Sequence, residues 1–380
     1  MSIKKIVLLS TIGKDTLLFR AEFIAGLVSA GHVVTVCCTD YTPESAQAIR
    51  DLGARPVDYR LDRGGMNPLA DLFCIFGIKK LLNHLQPDIV LCRAVKPTIY
   101  GAIAAYLSGI KRRAAMLEGL GYVFTDLPQG LGFKQAVLRK IQVFLYRLSL
   151  PLLHELIFLN HDDPVDLLKR HQLRVRSYKV LGGIGLDLAK FPYSPAPLDP
   201  MRFIFIGRLL AEKGIFEYVD AARQVKKSYP NAEFVVLGAV DDCNPGALKQ
   251  QQLQQLLDEG VIHYPGYVSN VSDWVAQSSV FVLPSYREGV PRSTQEAMAI
   301  GRAVLTTDVP GCRDTVDDGV NGFLVPRWNA QMLAEKMIFL IEKPEVVQRM
   351  GEASHRMAVE RFDVHQVNIR LMAWLLGDEA

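Results

Sequence analysis

The chain has 380 residues, of which 49% are hydrophobic and 22% are charged, and this composition is ordinary for a globular protein of two domains. Its six cysteines include no C-x-x-C pair, which argues against a structural zinc site or a disulfide framework. The N-terminal apolar run is short and the sequence has no run of about 20 apolar residues, so we expect neither a secretory signal nor a transmembrane helix.

Charge is divided unevenly between the two halves of the chain. Residues 1–190 carry 25 Lys and Arg against 16 Asp and Glu, whereas residues 191–380 carry 18 against 24. The resulting balances of +9 and −6 agree with the net charge of +3. A basic first half favours an anionic partner, such as a lipid surface or a diphosphate, although domains also differ in charge by chance. We expect no nucleic-acid partner.

The first half alternates short apolar strands with helices. The strands are expected at 6–10, 33–38, 56–61, 88–92 and 114–117. The helices are expected at 16–30, from 43 onward, at 68–85 and at 97–107. This alternation predicts a parallel sheet with right-handed crossovers, and therefore a Rossmann-like domain.

Three loops of this domain hold residues that suit ligand contact. The loop after the first strand has one glycine, Gly13, so the G-x-G-x-x-G fingerprint is absent, which argues against NAD or FAD. Gly13 either makes a turn or approaches a phosphate. Arg93 and Lys96 follow the fourth strand. Glu118 follows the fifth, beside two glycines that permit close backbone approach to a ligand, with a buried structural role as the alternative.

Residues 132–153 combine an apolar face with a cluster of cations. One helical face carries five apolar residues: Val137, Ile141, Phe144, Leu145 and Leu148. The charges of this segment are four cations: Lys134, Arg139, Lys140 and Arg147. The pattern predicts a basic amphipathic helix that lies in a membrane interface. The alternative is a core helix with a solvated basic edge.

Residues 187–200 contain four prolines and few strong helix formers, which indicates an interdomain linker. We therefore expect a first domain at 1–190, a second domain at 191–360 and a final helix at 361–380.

The second half begins another sheet at 202–206. Arg208 follows this strand and Lys213 stands five residues further on, at the start of a helix, so the two cations can converge on a diphosphate. Further strands are expected at 233–237 and 261–264, and further helices at 247–259 and 271–277.

The apolar strand 280–283 leads into a loop and a helix that starts near Pro291. A glutamate in a first helical turn is often present only because it complements the helix dipole. Here, however, free N–H groups at the helix start favour an anion such as a diphosphate. Glu288 in the loop and Glu296 in the helix can accept hydrogen bonds from hydroxyls. Sites for phosphates and hydroxyls together suit a sugar nucleotide.

The stretch EGVPRSTQEAMAIGRAVLTTDVPG, continuing to DGVNGFLVP, resembles the donor-domain core of the retaining GT-B glycosyltransferases of family 4, including their E-x7-E signature. Residues 93–97, 118–124, 158–163 and 182–187 resemble the subgroup that builds bacterial surface glycans on polyprenyl diphosphate, typified by bacillosamine N-acetylgalactosaminyltransferases. The resemblance runs from about residue 3 to about residue 365 and is sharpest between 204 and 326.

The resemblance implies a GT-B fold of the α/β class, with two Rossmann-like domains facing across a cleft and a final helix that crosses back to the first domain. It implies a retaining enzyme that moves a hexose or N-acetylhexosamine from a UDP-sugar to a polyprenyl-diphosphate-linked saccharide. Such an enzyme needs neither a metal nor another cofactor. We expect it to be cytoplasmic and peripheral on the inner face of the plasma membrane.

The resemblance also implies roles for individual residues. Arg208 and Lys213 stabilise the leaving diphosphate, Glu288 binds sugar hydroxyls, and Glu296 holds the ribose. The other implied donor contacts are Gly13, Val268, Gly289, Val290, Pro291 and Arg292. The acceptor-side histidine of many family members is not seen, and Arg93, Lys96 and Glu118 are the candidates there.

Two other functions fit part of this pattern. A nucleotide-sugar epimerase of the same architecture would act without an acceptor, but it has no need of a basic amphipathic helix. A non-catalytic sugar-nucleotide-binding partner of a membrane complex is disfavoured, because Arg208, Lys213, Glu288 and Glu296 are all present.

Overall fold

The computed structural model describes residues 2–61, 68–240 and 246–377, and the chain divides into two compact units. The first unit comprises Met1–Val123, Phe133–Ile184 and Val364–Ala380. The second unit comprises Phe124–Gly132 and Gly185–Asp363.

The first unit contains a parallel sheet of seven strands in the order β3-β2-β1-β4-β5-β6-β7. These strands are β1 Lys5–Leu9, β2 Val33–Cys38, β3 Arg55–Asp58, β4 Ile89–Arg93, β5 Arg112–Leu117, β6 Glu155–Phe158 and β7 Tyr178–Val180. Five strands were expected here, and β6 and β7 extend the sheet beyond them. The central strands are apolar and buried along most of their length, as a parallel sheet covered on both faces requires.

Helices connect these strands. They are α1 Gly13–Ser29, α2 Pro43–Asp51, α3 Pro68–Leu85, α4 Ala102–Leu107, α5 Phe133–Ser149 and the short α6 Asp162–Pro164. Two single π-helical turns, Pro97–Gly101 and Val165–Lys169, adjoin α4 and α6. Right-handed crossovers place α3, α4 and α5 on one face of the sheet, and α1 and α2 on the other.

The second unit contains a parallel sheet of six strands in the order β10-β9-β8-β11-β12-β13. These strands are β8 Arg202–Ile206, β9 Glu233–Leu237, β10 His263–Gly266, β11 Val280–Leu283, β12 Ala303–Thr307 and β13 Gly322–Val325. The helices of the unit are α7 Ile215–Ser228, α8 Gln250–Asp258, α9 Val271–Ala276, α10 Arg292–Ile300, α11 Ala330–Glu342 and α12 Pro344–Phe362. Over the two units together, short 3-10 turns occupy Tyr122–Phe124, Leu150–Leu152, Leu188–Lys190, Ala211–Lys213 and Arg313–Thr315.

The unit boundaries differ from the expected boundary at residue 190. The second unit begins at Gly185, because the Gly185 amide donates to Gln295 and the Leu186 amide donates to Phe362. The segment Phe124–Gly132 also belongs to the second unit, where Asp126 pairs with Arg327 at 3.1 Å.

The last helix, α13 Val364–Leu376, belongs to the first unit. The Trp374 carbonyl accepts a 2.6 Å hydrogen bond from the Arg112 guanidinium at the start of β5. Met372 lies against Gly26 of α1.

The described cysteines, Cys37, Cys38, Cys74, Cys92 and Cys312, are buried free thiols, while Cys243 lies outside the described residues. Burial raises the pKa of the Cys92 and Cys312 thiols to about 12, so both are inert core side chains. Within the described ranges, every helix is too short or too polar to cross a bilayer.

Candidate functional site

The carboxyl ends of β8 and β11 form the switch point of the second sheet. The two strands are neighbours, yet β8 continues through α7 to β9 on one side and β11 continues through α10 to β12 on the other. Ligands of open α/β sheets bind in the crevice that such a reversal opens. Arg208 and Lys213 follow β8, and Glu288 follows β11, so the sequence candidates border this point.

Lys213 and Glu288 are in direct contact at this edge. The Lys213 Nζ lies 2.6 Å from the Glu288 Oε1, and both side chains are largely buried. The same carboxylate oxygen accepts a 2.7 Å hydrogen bond from the hydroxyl of Ser285, which is fully buried. The sequence predicts separate roles for these residues, with Lys213 at the diphosphate and Glu288 at the sugar hydroxyls. The structure shows that the two side chains are in direct contact.

The loop that carries Glu288 is fixed by its neighbours in the sheet. The Thr306 and Thr307 hydroxyls of β12 donate to the Leu283 and Ser285 carbonyls, and the Glu288 amide donates to the Pro310 carbonyl at 3.0 Å. Gly311 has a positive φ of 78°, and a Cβ there would lie 2.4 Å from the Glu288 carbonyl oxygen. Only glycine allows the two backbone segments to approach this closely.

Helix α10 starts at the same edge with a second ion pair. The Arg292 Nε lies 2.9 Å from the Glu296 Oε1, one turn further along the helix. Burial raises the pKa of Glu296, and the Arg292 charge opposes this shift. The Ser293 hydroxyl donates to the Ile206 carbonyl and so ties the first turn of α10 to the end of β8. The first backbone amides of α10 therefore lie at the switch point, where they favour an anion.

The remaining donor candidates lie at the same edge of the second sheet or on the first unit. Arg208 is exposed just after β8, Val268 follows β10, and Gly289, Val290 and Pro291 form the turn into α10. Gly13 begins α1 in the first unit, and its amide donates to Asp40. A Cβ on Gly13 would lie 2.8 Å from the Tyr41 ring, so close packing favours a glycine at this position.

In the first unit, Glu118 follows β5 and lies between two arginines, Arg93 at the end of β4 and Arg20 on α1. The Arg93 Nη2 is 2.8 Å and the Arg20 Nη2 is 2.5 Å from the Glu118 Oε1. Burial alone would raise the pKa of Glu118, but the charges of Arg93 and Arg20 outweigh it and lower this pKa to about 2. Glu118 is therefore an ionised hydrogen-bond acceptor at every physiological pH.

Arg20 is a member of this cluster that the sequence reasoning missed. It is 1% exposed and stands on the inner face of α1, and the signal for it was a lone cation within an apolar helical stretch. The Lys96 Nζ lies 5.9 Å from the Tyr100 ring centroid. The structure thus brings Arg93 and Glu118 together and adds Arg20.

Helix α5 turns its apolar side outward. Its exposed apolar residues are Phe133, Val137, Ile141, Phe144 and Leu148, with Phe133 84% exposed and Phe144 56% exposed. Val143 and Tyr146 face the core instead. Lys134, Lys140 and Arg147 are exposed, but the Arg139 guanidinium is half-buried and donates to the Val123 carbonyl at 2.8 Å. Four of the five apolar residues expected on this face are exposed, Leu145 is half-buried, and Arg139 serves partly as a structural residue.

Comparisons with known proteins agree with these two units. The family described as "Glycosyl transferases group 1" matches residues 189–357, and "Glycosyl transferase 4-like" matches residues 5–150. The fold is shared with a solved structure: HepE of Anabaena, crystallised with UDP and glucose, has a TM-score of 0.78 at 17% identity over 98% of this chain and 100% of that one.

Among sequence relatives, the N,N'-diacetylbacillosaminyl-diphospho-undecaprenol alpha-1,3-N-acetylgalactosaminyltransferase of Campylobacter jejuni is 30% identical over 89% of each chain. The capsular polysaccharide biosynthesis glycosyltransferase CapM of Staphylococcus aureus is 26% identical over 77% of each chain. The protein is a GT-B glycosyltransferase. It belongs to family 4, as the resemblance of its donor-domain motifs predicted.

Replacing Glu118 with glutamine should destabilise the protein in a pH-dependent way. The pKa of Glu118 in the folded protein, about 2, lies below the ordinary value of about 4.3. The ionised carboxylate therefore stabilises the folded protein at pH values above about 4.3, and this contribution is lost as the pH falls toward 2. The melting temperature of Glu118→Gln should therefore lie below that of the parent at pH 7, and the gap should narrow between pH 5 and pH 3. An exposed control, Asp51→Asn, should show a small gap throughout. If the difference in melting temperature between Glu118→Gln and the parent stayed the same from pH 7 to pH 3, the low pKa assigned to Glu118 would be contradicted.

Proposed function

We propose that this glycosyltransferase moves a hexose or N-acetylhexosamine from a UDP-sugar to a saccharide carried on polyprenyl diphosphate, with retention of anomeric configuration. The product enters bacterial surface glycan synthesis, as capsule, O-antigen or glycoprotein glycan. The observation that carries the proposal is the Lys213–Glu288 contact beside the start of α10, because it provides a cation and hydroxyl acceptors at one sheet edge. The names of the Campylobacter relative and of the UDP-bound HepE structure support the acceptor and donor classes.

In this proposal, positive charge from the protein assists departure of the diphosphate. Lys213 and Arg208 offset the charge that develops on the leaving group, and the first amides of α10 add hydrogen-bond donors. With these groups in place, the reaction needs neither a metal ion nor an organic cofactor. Retention follows from attack on the face that the diphosphate leaves, and no enzyme nucleophile is assigned.

The donor sugar and ribose meet the two carboxylates. Glu288 orients the sugar through its hydroxyls, and Glu296 holds the ribose. Further donor contacts are proposed for Gly13, Val268, Gly289, Val290, Pro291 and Arg292. The contact between Lys213 and Glu288 holds both side chains at this edge before the donor binds, and a preorganised charge is the more effective one.

The acceptor is proposed to meet the first unit at Arg93, Lys96 and Glu118. Within the cluster, Arg20 and Arg93 are almost fully buried, whereas the Glu118 side chain is 27% exposed and is the member that a ligand reaches. An ionised carboxylate accepts hydrogen bonds from saccharide hydroxyls, but its low pKa makes it a weak proton acceptor.

We place the enzyme on the cytoplasmic face of the plasma membrane, held there by α5. This helix has no acidic residue, so every charge that it carries beside its exposed apolar face is positive. Such a face suits the surface of an anionic bilayer, in which the polyprenyl tail of the acceptor lies. Helix α3, on the same side of the sheet, exposes three more apolar residues: Leu72, Phe73 and Phe76.

A screen of nucleotide sugars tests this function. Each donor is incubated with and without a polyprenyl-diphosphate saccharide, UDP release is measured, and the anomeric configuration of the product is read by NMR. We expect one donor to give acceptor-dependent UDP release and a retained configuration. Conversion of the donor without acceptor would indicate an epimerase, and binding without turnover would indicate a non-catalytic partner.

Replacing Lys213 with alanine should lower kcat more than it raises KM for the donor. The leaving diphosphate gains negative charge in the transition state, so a fixed cation acts mainly on the barrier, and loss of one such group costs ~10²–10³ in rate. The matched control is Lys227→Ala, an exposed lysine of α7, which should leave both constants unchanged. An unaltered kcat for Lys213→Ala would refute the role.

Changing the surface of α5 should release the enzyme from anionic vesicles. The variant carries Phe133→Ser, Phe144→Ser, Lys134→Glu and Lys140→Glu, which removes apolar burial and about 1 kcal/mol of attraction per cation. Co-sedimentation with phosphatidylglycerol-containing vesicles should fall, while UDP binding is preserved. The control carries Ile369→Ser, Lys227→Glu and Lys249→Glu, exposed residues elsewhere. If the α5 variant sediments as well as the parent, the membrane role of this helix is wrong.

A further inference from the structure

A buried tyrosine lies directly behind the cluster that contains Lys213 and Glu288. Tyr286, two residues before Glu288, is 3% exposed, and its hydroxyl donates a 2.7 Å hydrogen bond to the Glu217 Oε1. Glu217 stands in the first turn of α7, four residues after Lys213. One hydrogen bond therefore joins the loop that carries Glu288 to the helix that follows Lys213.

Two backbone contacts reinforce the same junction. The Tyr286 amide donates to the Glu212 carbonyl at 2.9 Å, next to Lys213 in the chain. Gly214 has a φ of 77°, and a Cβ there would lie 2.1 Å from the Pro284 carbonyl oxygen. The two backbones are thus pressed together on both sides of Lys213, and the Tyr286 side chain spans the gap to α7.

The surroundings of Tyr286 restrict its movement. The Trp328 ring packs edge-on against the tyrosine, with centroids 5.8 Å apart and planes at 86°. Trp328 has a φ of 62°, which is unfavourable for a bulky residue, and the Arg327 guanidinium lies 4.3 Å from its ring centroid. Trp328, which is itself held in a strained conformation by its neighbours, therefore limits the movement of the Tyr286 ring.

Burial of Glu217 costs stability. Its Oε2 is buried and has no hydrogen-bond partner among the described residues, and burial raises the pKa of the carboxyl group. A carboxylate that gains one hydrogen bond on burial does not recover its hydration. The Tyr286–Glu217 hydrogen bond is therefore better explained by the way it fixes the loop before Glu288 against α7 than by a gain in stability.

We propose that Tyr286 and Glu217 are positioning residues that hold Lys213 at its place beside Glu288 during transfer. The proposal rests on the proposed role of Lys213 at the leaving diphosphate. A lysine side chain is long and flexible, so the position of its Nζ depends on the backbone that carries it and on its carboxylate partner. Loosening residues 284–288 against residues 212–217 shifts the cation, and displacements of about 1 Å cost up to ~10² in rate.

A double-mutant cycle tests this inference. The Tyr286→Phe variant should lose about tenfold in kcat, while its donor KM stays within about twofold, because the cation is displaced and the pocket is retained. In a Lys213→Ala background, the same change should have no further effect on kcat, since it acts through the missing cation. Loss of kcat in both backgrounds by the same factor would overturn the proposal.

The Tyr218→Phe variant is the matched control. Tyr218 is a fully buried tyrosine of the same helix, and its hydroxyl bonds to the Phe203 and Val235 carbonyls of the sheet. Its loss should lower the melting temperature and leave kcat unchanged. An equal fall of kcat in Tyr218→Phe would mean that general destabilisation explains both variants, which overturns the positioning role.

Two variants of Glu217 keep the inference testable if Tyr286→Phe folds poorly. Glu217→Gln retains an acceptor for the tyrosine hydroxyl and should keep kcat, whereas Glu217→Leu should behave like Tyr286→Phe. Equal kcat values in these two would refute the role of the hydrogen bond. If Lys213→Ala itself retains the parental kcat, the proposed function of Lys213 fails. If only Tyr286→Phe and Glu217→Leu retain it, the positioning inference alone fails.

Discussion

The ion pair between Lys213 and Glu288 sets the geometry of the sheet edge in the second unit at which the donor is proposed to bind. Lys213 follows β8 and Glu288 follows β11. From these two neighbouring strands the chain continues in opposite directions across the sheet. The pair lies mostly out of water, where separating the two charges is costly, so each side chain limits the position of the other. A cation held in this way is oriented before any substrate arrives.

The backbone beneath this pair is built for close approach. Gly214 and Gly311 both have positive φ, and each lies where a Cβ would collide with a carbonyl oxygen of the 284–289 segment. The Thr306 and Thr307 hydroxyls hold the same segment from β12. These contacts therefore hold the loop that carries Glu288 from two sides. This rigidity suits a site that has to place a sugar and its leaving group together.

The sequence was most informative where the chemistry is local. The apolar strand 280–283, the proline at the helix start and the two glutamates are neighbours in the chain, and the structure places them as a strand, loop and helix. The family 4 resemblance and the GT-B fold were likewise readable from these motifs and are confirmed. Arg302 of the same stretch had no predicted role, yet it is fully buried against backbone carbonyls.

The features that were missed depend on contacts between distant residues. Arg20 meets Glu118 across 98 positions, and Tyr286 meets Glu217 across 69. No local periodicity indicates such pairs. Strands β6 and β7 are only four and three residues long, which is too short for a clear pattern. The segment Phe124–Gly132 lies within the expected first domain in sequence, but its Asp126 pairs with Arg327 in the second unit.

Hydrogen exchange in the presence and absence of UDP tests the central claim, that the donor diphosphate binds at the β8–β11 edge. UDP should slow the exchange of amides in residues 207–215 and 285–296 of the full-length protein. These segments contain Lys213, Glu288 and the first turn of α10. Protection confined to the first unit, with no change in these two segments, would contradict the claim.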